Sequence, residues 1–138
     1  AIRLAIKGYK VVTLDMNRRV HDQIPAVLGR PIREAAAIIA HLDAVVSPDS
    51  GLLHVAGALG VPVLGLFGST DGALRMREYA GHWTDGRQVA DCAPCWYAKP
   101  CLKKKAPEDH VVCMKRLNLP LVLKELDGML ERFGVPRR

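Results

Sequence analysis

Two short turns carry the residues best suited to chemistry. The first is Asp49-Ser50-Gly51, with His54 three positions on; the second is Gly68-Ser69-Thr70, followed by Asp71. Each follows an apolar run, "AVV" with Ser47-Pro48 between in one case and "PVLGLF" directly in the other. A helix that opens at Gly51 would point its free backbone N–H groups outward, at the positive end of its dipole, which suits a phosphate. Gly51 lets an anion come close to the backbone. His54 lies about one turn in, on the same side. Asp49 would repel phosphate and is better suited to accept hydrogen bonds from hydroxyls, as on a sugar. The plainer use of Asp49 or Ser50 is as a helix cap, and of His54 as a packing residue; for a lone Asp-Ser-Gly that is the commoner case. The second turn changes the balance, because two small polar loops on one sheet edge make a cleft.

A second constellation is Cys92, Cys95, Cys101 and Cys113, spaced C-x2-C-x5-C-x11-C. Four thiolates suit tetrahedral zinc or iron, and such a site would be structural, since four protein ligands leave no open position. Lys99, Lys103, Lys104, Lys105 and Lys115 would offset its negative charge. The alternative is a set of reduced, partly buried thiols in a loop.

The elements that must position these residues follow from the pattern. Residues 2–9 read as the end of an amphipathic helix, 10–15 as a buried strand, and 16–31 as a polar loop with the short apolar piece "IPAVLG". Residues 32–42 form a helix with Ile32, Ala35, Ala36, Ile39 and Leu42 on one stripe, opened by Pro31. Strands at 44–47 and 62–68 flank a helix at 51–60 that ends on a Gly cap. Residues 73–91 read as loop with a short helix near "ALRMREY". Asn118 caps a last helix at 119–133, whose stripe is Val122, Leu126, Met129, Leu130 and Phe133. Strands apolar on both faces, alternating with helices, predict an α/β fold: a Rossmann-like parallel sheet with helices on both faces. In such sheets ligands bind beyond the carboxyl ends of the strands, where both turns fall.

The chain has 138 residues, one domain's worth, and no apolar run approaches the length of a bilayer span. Its net charge of +6 suits an anionic partner. The start lacks both a cleavage pattern and an initiator Met, so a piece cut from something longer is expected.

The stretch "VVSPDSGLLHVAGALGVPVLGLFGSTD" closely resembles the signature of the heptosyltransferases, glycosyltransferase family nine. In that pattern a strand runs into Asp-Ser/Thr-Gly-x-x-His, then a helix, then a strand ending in Phe-Gly-x-Thr-Asp. "CAPC", the third Cys and "CM" also look like the family's cysteine segment. The resemblance implies the C-terminal half of a GT-B glycosyltransferase, apparently truncated: residues 1–138 as one partial nucleotide-sugar-binding domain, with a cysteine-rich insertion at 92–113. Asp49 would bind sugar hydroxyls, Ser50 and Gly51 would offer N–H groups to the diphosphate, and His54 would support that loop or the phosphate. Gly68, Ser69 and Thr70 would line the opposite wall. The donor implied is a nucleotide sugar, ADP-heptose foremost, and the acceptor a lipid-linked lipopolysaccharide core. Transfer would invert the anomeric carbon with no cofactor for catalysis. The base would come from an N-terminal domain outside this chain, so the chain alone is not expected to catalyse. The setting implied is cytoplasmic, at the face of the inner membrane.

Two other readings stand beside this one. The same fold could take a UDP- or GDP-sugar, because nothing in 16–31 identifies adenine. A basic cysteine-knuckle module for nucleic acid would use the lysine cluster, but stacking aromatics there are scarce, essentially Trp96 and Tyr97. The family's first strand, with a phosphate-contacting loop and Lys, would precede residue 1. In the order 3-2-1-4-5 it would lie between the strands at 10–15 and 44–47. Those two strands are therefore expected either to pair directly or to receive a strand from another chain, giving a homo-oligomer.

Overall fold

The computed structural model describes residues 13–15, 26–84, 90–97, 101 and 111–135. The helix expected at 2–9, the first part of the strand at 10–15, most of the loop at 16–31 and the lysines at 99 and 103–105 lie outside the described residues.

The described residues form five strands and five helices, which alternate from α1 to β5. A three-stranded parallel sheet runs in the order β3 (Val45–Pro48), β4 (Val63–Leu66), β5 (Gly81–Trp83). Val45 faces Val63 in one pair, and Val63 faces Gly81 in the next. A second sheet pairs β1 (Thr13–Asp15) with β2 (Ala26–Leu28), also in parallel. The helices are α1 (Ile32–Ile39), α2 (Gly51–Ala58), α3 (Gly72–Met76), α4 (Val112–Lys115) and α5 (Leu119–Arg132). The α/β class and the parallel, helix-flanked sheet read from the sequence are present.

β4 explains the layering. All four of its residues are buried. Val63 joins one hydrophobic cluster, with Ile39 of α1, Leu53 and Ala56 of α2 and Met76 of α3. Leu64 and Leu66 join a second cluster, with Val122, Leu126, Met129 and Leu130 of α5. Successive strand side chains point to opposite faces, so one apolar strand supplies both layers. This is why "PVLGL" reads as a continuous apolar run rather than an alternating one.

Helix ends follow the local chemistry. α2 closes with Gly60 at φ 74°, with Gly60 N–H donating to Gly57 O at 3.0 Å and Val61 N–H to Ala56 O at 3.1 Å. That pair of bonds needs a left-handed residue, which glycine adopts at no steric cost. α5 ends the same way at Gly134, φ 65°. Asn118 Oδ1 accepts from Leu121 N–H at 3.4 Å at the start of α5, with Pro120 in the first turn. Asp71 Oδ1 caps α3 through Leu74 N–H at 3.2 Å.

Several expectations need correction. Residues 26–28, read as part of a loop, form β2; residues 81–83, also read as loop, form β5. Both strands are three residues long, too short for alternation to show. The strand at 13–15 does not pair with the strand at 45–48: β1 takes β2 as its neighbour. The stripe on α1 is also narrower than read, because Ile32 is 60% exposed and only Ala35 and Ile39 are buried. Phe133 lies just beyond α5 and is exposed.

Candidate functional site

The first turn leaves the carboxyl end of β3 and enters α2. Ser50 occupies the cap position with extended backbone, but its hydroxyl does not cap the helix. Its Oγ lies 3.0 Å from Ser47 Oγ, and Ser47 Oγ donates to Pro48 O at 2.9 Å. Leu53 N–H and His54 N–H both reach back to Ser50 O, at 3.1 and 3.4 Å. The N–H groups of Gly51 and Leu52 are those that helix geometry leaves without a carbonyl partner. Gly51 is exposed, and a Cβ built on it meets nothing within 4 Å. The turn therefore offers open backbone donors at the carboxyl end of β3.

Asp49 is held from two sides. Its Oδ1 lies 3.3 Å from His54 Nε2, and its Oδ2 lies 3.3 Å from Arg75 Nε. His54 is in turn positioned by Tyr79, whose ring centroid is 5.7 Å away at a 59° tilt. Tyr79 can approach because Gly57 has no side chain: a Cβ there would lie 2.7 Å from the ring's Cδ1 and Cδ2. The spacing Asp-x4-His thus brings the two side chains together across the cap, and α3 adds the cation.

The second turn is placed differently from the first. Ser69 and Thr70 are buried, at 8% and 5% exposure, as is Gly68. A Cβ on Gly68 would meet Cys113 Sγ at 2.7 Å and Met114 Sδ at 2.9 Å, so the cysteine-bearing segment packs directly on this turn. Ser69 O accepts from Trp96 N–H at 2.8 Å. Phe67 N–H, at the end of β4, donates to Thr84 Oγ1 at 3.0 Å, which fixes how the chain enters the turn.

The four cysteines gather in one neighbourhood, none in a disulfide. Cys113 is buried in a small cluster with Ala90 and Val112, against which Cys92 and Cys101 pack. Burial pushes the Cys113 thiol above its ordinary value, opposed by hydrogen bonds from the backbone of Met114 and Cys113; the nearby Cys92 and Cys95 add to the rise. Among the described residues no three of His, Cys, Asp or Glu are arranged to hold a metal. The thiols converge in one neighbourhood.

Sequence reasoning missed Arg75, Tyr79 and Trp96 as parts of this region. Arg75 and Trp96 meet Asp49 and Ser69 only through the fold, and no local spacing announces them. Elsewhere, Glu125 Oε2 of α5 lies 2.6 Å from His82 Nδ1 of β5, a polar contact between layers.

The model of Glycosyltransferase family 9 (heptosyltransferase) matches residues 11–111, which include both turns and three of the cysteines. This chain belongs to glycosyltransferase family 9. It is similar to Lipopolysaccharide heptosyltransferase 1 of Pseudomonas aeruginosa, 34% identical over 115 residues, covering 76% of this chain and 32% of that protein. The chain therefore spans about a third of the length of the curated relative it matches. No solved structure matches it. Within family 9 terms, the strand–turn–helix at 45–58 is where Asp49, Ser50, Gly51 and His54 come together, and the turn at 68–70 is bonded to Trp96 beside them.

Proposed function

We propose that this chain is the donor-binding part of an inverting glycosyltransferase that transfers a heptose from a nucleotide diphosphate sugar to a lipopolysaccharide-type acceptor. The observation that supports this most directly is the uncapped start of α2. The Ser50 hydroxyl turns to Ser47, the first-turn N–H groups face open space at Gly51, and a carboxylate stands beside them. The diphosphate would accept from the backbone of Ser50 and Gly51 at the positive end of the helix. Asp49, paired with the Arg75 cation and 3.3 Å from His54 Nε2, would accept from sugar hydroxyls.

In the reaction an acceptor hydroxyl forms a bond to the anomeric carbon as the bond to the diphosphate oxygen breaks. The hydroxyl proton passes to a carboxylate base in the N-terminal domain of a two-domain GT-B enzyme. The departing diphosphate gains charge, which the helix terminus and nearby cations stabilise. ADP-heptose is the donor proposed, and the setting is the cytoplasmic face of the inner membrane. A strand from a second copy beside β1 or β3 would give a homo-oligomer, read by light scattering as a mass above 15.1 kDa.

The test is calorimetric titration of ADP, ADP-heptose, UDP and GDP, with Gly51→Val as the discriminating variant. Space around Gly51 is open and its backbone is helical. Valine there should change stability by no more than about 0.5–1 kcal/mol, yet stand in the way of an approaching phosphate. Adenine nucleotides should bind the wild type and lose affinity in the variant. Undiminished binding by Gly51→Val would place the diphosphate elsewhere, and preference for UDP or GDP would change the donor.

A further inference from the structure

We infer that Arg75 is the side chain that receives the donor's diphosphate, and that Trp96 is the residue that holds it in place to do so. The inference rests on the donor-site reading above and adds to it a cation and a positioning aromatic.

Arg75 stands between two partners. Its Nε is 3.3 Å from Asp49 Oδ2, and its guanidinium carbon is 5.5 Å from the centre of the Trp96 ring. Asp49 is well shielded, with a side chain 17% exposed, while Arg75 is 43% exposed. One edge of the guanidinium is thus tied to a shielded carboxylate, and the indole lies against it. These two ties run through Nε and the face of the guanidinium, not through the two terminal nitrogens. A guanidinium placed over an aromatic face can keep its in-plane donors available, and those donors match two phosphate oxygens at once. An unstacked surface arginine would lose rotamer freedom on binding; this one has lost much of it already.

The position of Trp96 is itself unusual. Trp96 and the next residue, Tyr97, both adopt left-handed backbone, φ 52° and 58°, and are 44% and 70% exposed. A bulky residue at positive φ costs energy that the surroundings must supply. Here the tie is the Trp96 N–H to Ser69 O bond of 2.8 Å, from the middle of the second turn. The indole is partly covered; with its backbone N–H tied to Ser69 O, its ring lies under the Arg75 guanidinium, which is itself paired with Asp49. The buried second turn thereby acts on the first turn through Trp96 and Arg75.

The same geometry resolves a conflict of charge. A carboxylate one residue before a phosphate-binding turn repels the phosphate. Arg75, paired to that carboxylate, offsets its charge and presents its remaining donors toward the anion.

The test titrates ADP, inorganic pyrophosphate and adenosine into the whole chain at low ionic strength. The variants are Arg75→Gln, Arg75→Lys, Trp96→Leu and the control Arg77→Gln, whose exposed side chain pairs with Glu78. Arg75→Gln should weaken ADP and pyrophosphate by about tenfold or more, the scale of a lost charge-assisted hydrogen bond, and leave adenosine unchanged. Arg75→Lys should restore only part of the loss, because a point charge lacks the fork. Trp96→Leu should weaken pyrophosphate while keeping the cation. Wild-type binding of ADP that Arg75→Gln retains within about twofold overturns this inference and leaves the donor site standing. Equal losses for adenosine and pyrophosphate in Arg75→Gln mark a structural defect and overturn it as well. A wild type that binds neither ADP nor pyrophosphate overturns both this inference and the donor-site reading.

Discussion

At the scale of single residues, Cys113 is the most constrained thiol in the chain. It is 6% exposed, and its sulfur sits where a side chain on Gly68 would be. Burial raises its pKa from the ordinary value of 9.0, against backbone hydrogen bonds and with help from Cys92 and Cys95. The folded protein therefore binds the thiol proton more tightly than the unfolded chain does. The resulting stability is fully present below the unfolded value and is lost as pH rises through the folded one. The thermal midpoint of the reduced, metal-free protein should fall as pH rises through and above the ordinary thiol value of 9.0, and the fall should be smaller in Cys113→Ala. Parallel curves for the two proteins would show that another group carries the dependence. By contrast, the thiols of Cys92, Cys95 and Cys101 are only partly buried.

At the scale of elements, α5 shows what a helix boundary is worth. Asn118 is exposed and makes one side-chain bond into the first turn, to Leu121 N–H. Removing it in Asn118→Ala should cost about 1 kcal/mol, measured as a shift of the denaturation midpoint with an unchanged slope. A variant as stable as the wild type would mean that solvent satisfies the turn equally well. The same helix shows why some elements were readable in the sequence. Asn118, Pro120 and Gly134 mark its ends, and Val122, Leu126, Met129 and Leu130 repeat at helical spacing toward β4. Strand–turn–helix at 45–58 was equally legible, because an apolar run, a small polar turn and a glycine stop follow one another. β2 and β5 were not legible: "AVL" and "GHW" become strands through their parallel partners, and three residues carry no period. The site divides in the same way. Asp49, Ser50, Gly51 and His54 lie within six positions and could be read together. Arg75 and Trp96 are brought in by the α3 and cysteine segments, whose packing the local sequence does not encode.

At the scale of the whole molecule, the cysteine segment bears on the second turn from outside the sheet. Its four thiols lie near one another without a metal-holding arrangement among the described residues. The spacing C-x2-C-x5-C-x11-C and the lysines around it support zinc or iron as a structural ion. Elemental analysis of protein purified without added metal should then give about one ion per chain. Four freely titrating thiols in the folded protein, with no zinc or iron, would remove that proposal. The sheet itself has a further consequence. β4 is buried along its whole length, with hydrogen-bonded neighbours on both edges and a hydrophobic cluster on each face. No local fraying can expose its amides to solvent; the two layers must part first. In native-state deuterium exchange, β4 should be the last segment to acquire label, with protection close to that of global unfolding. α3 and the turn after it, with one face in solvent, should open by smaller excursions. If β4 labelled as early as α3, the two layers would be separating independently, and the molecule would hold two cooperative units joined by one strand.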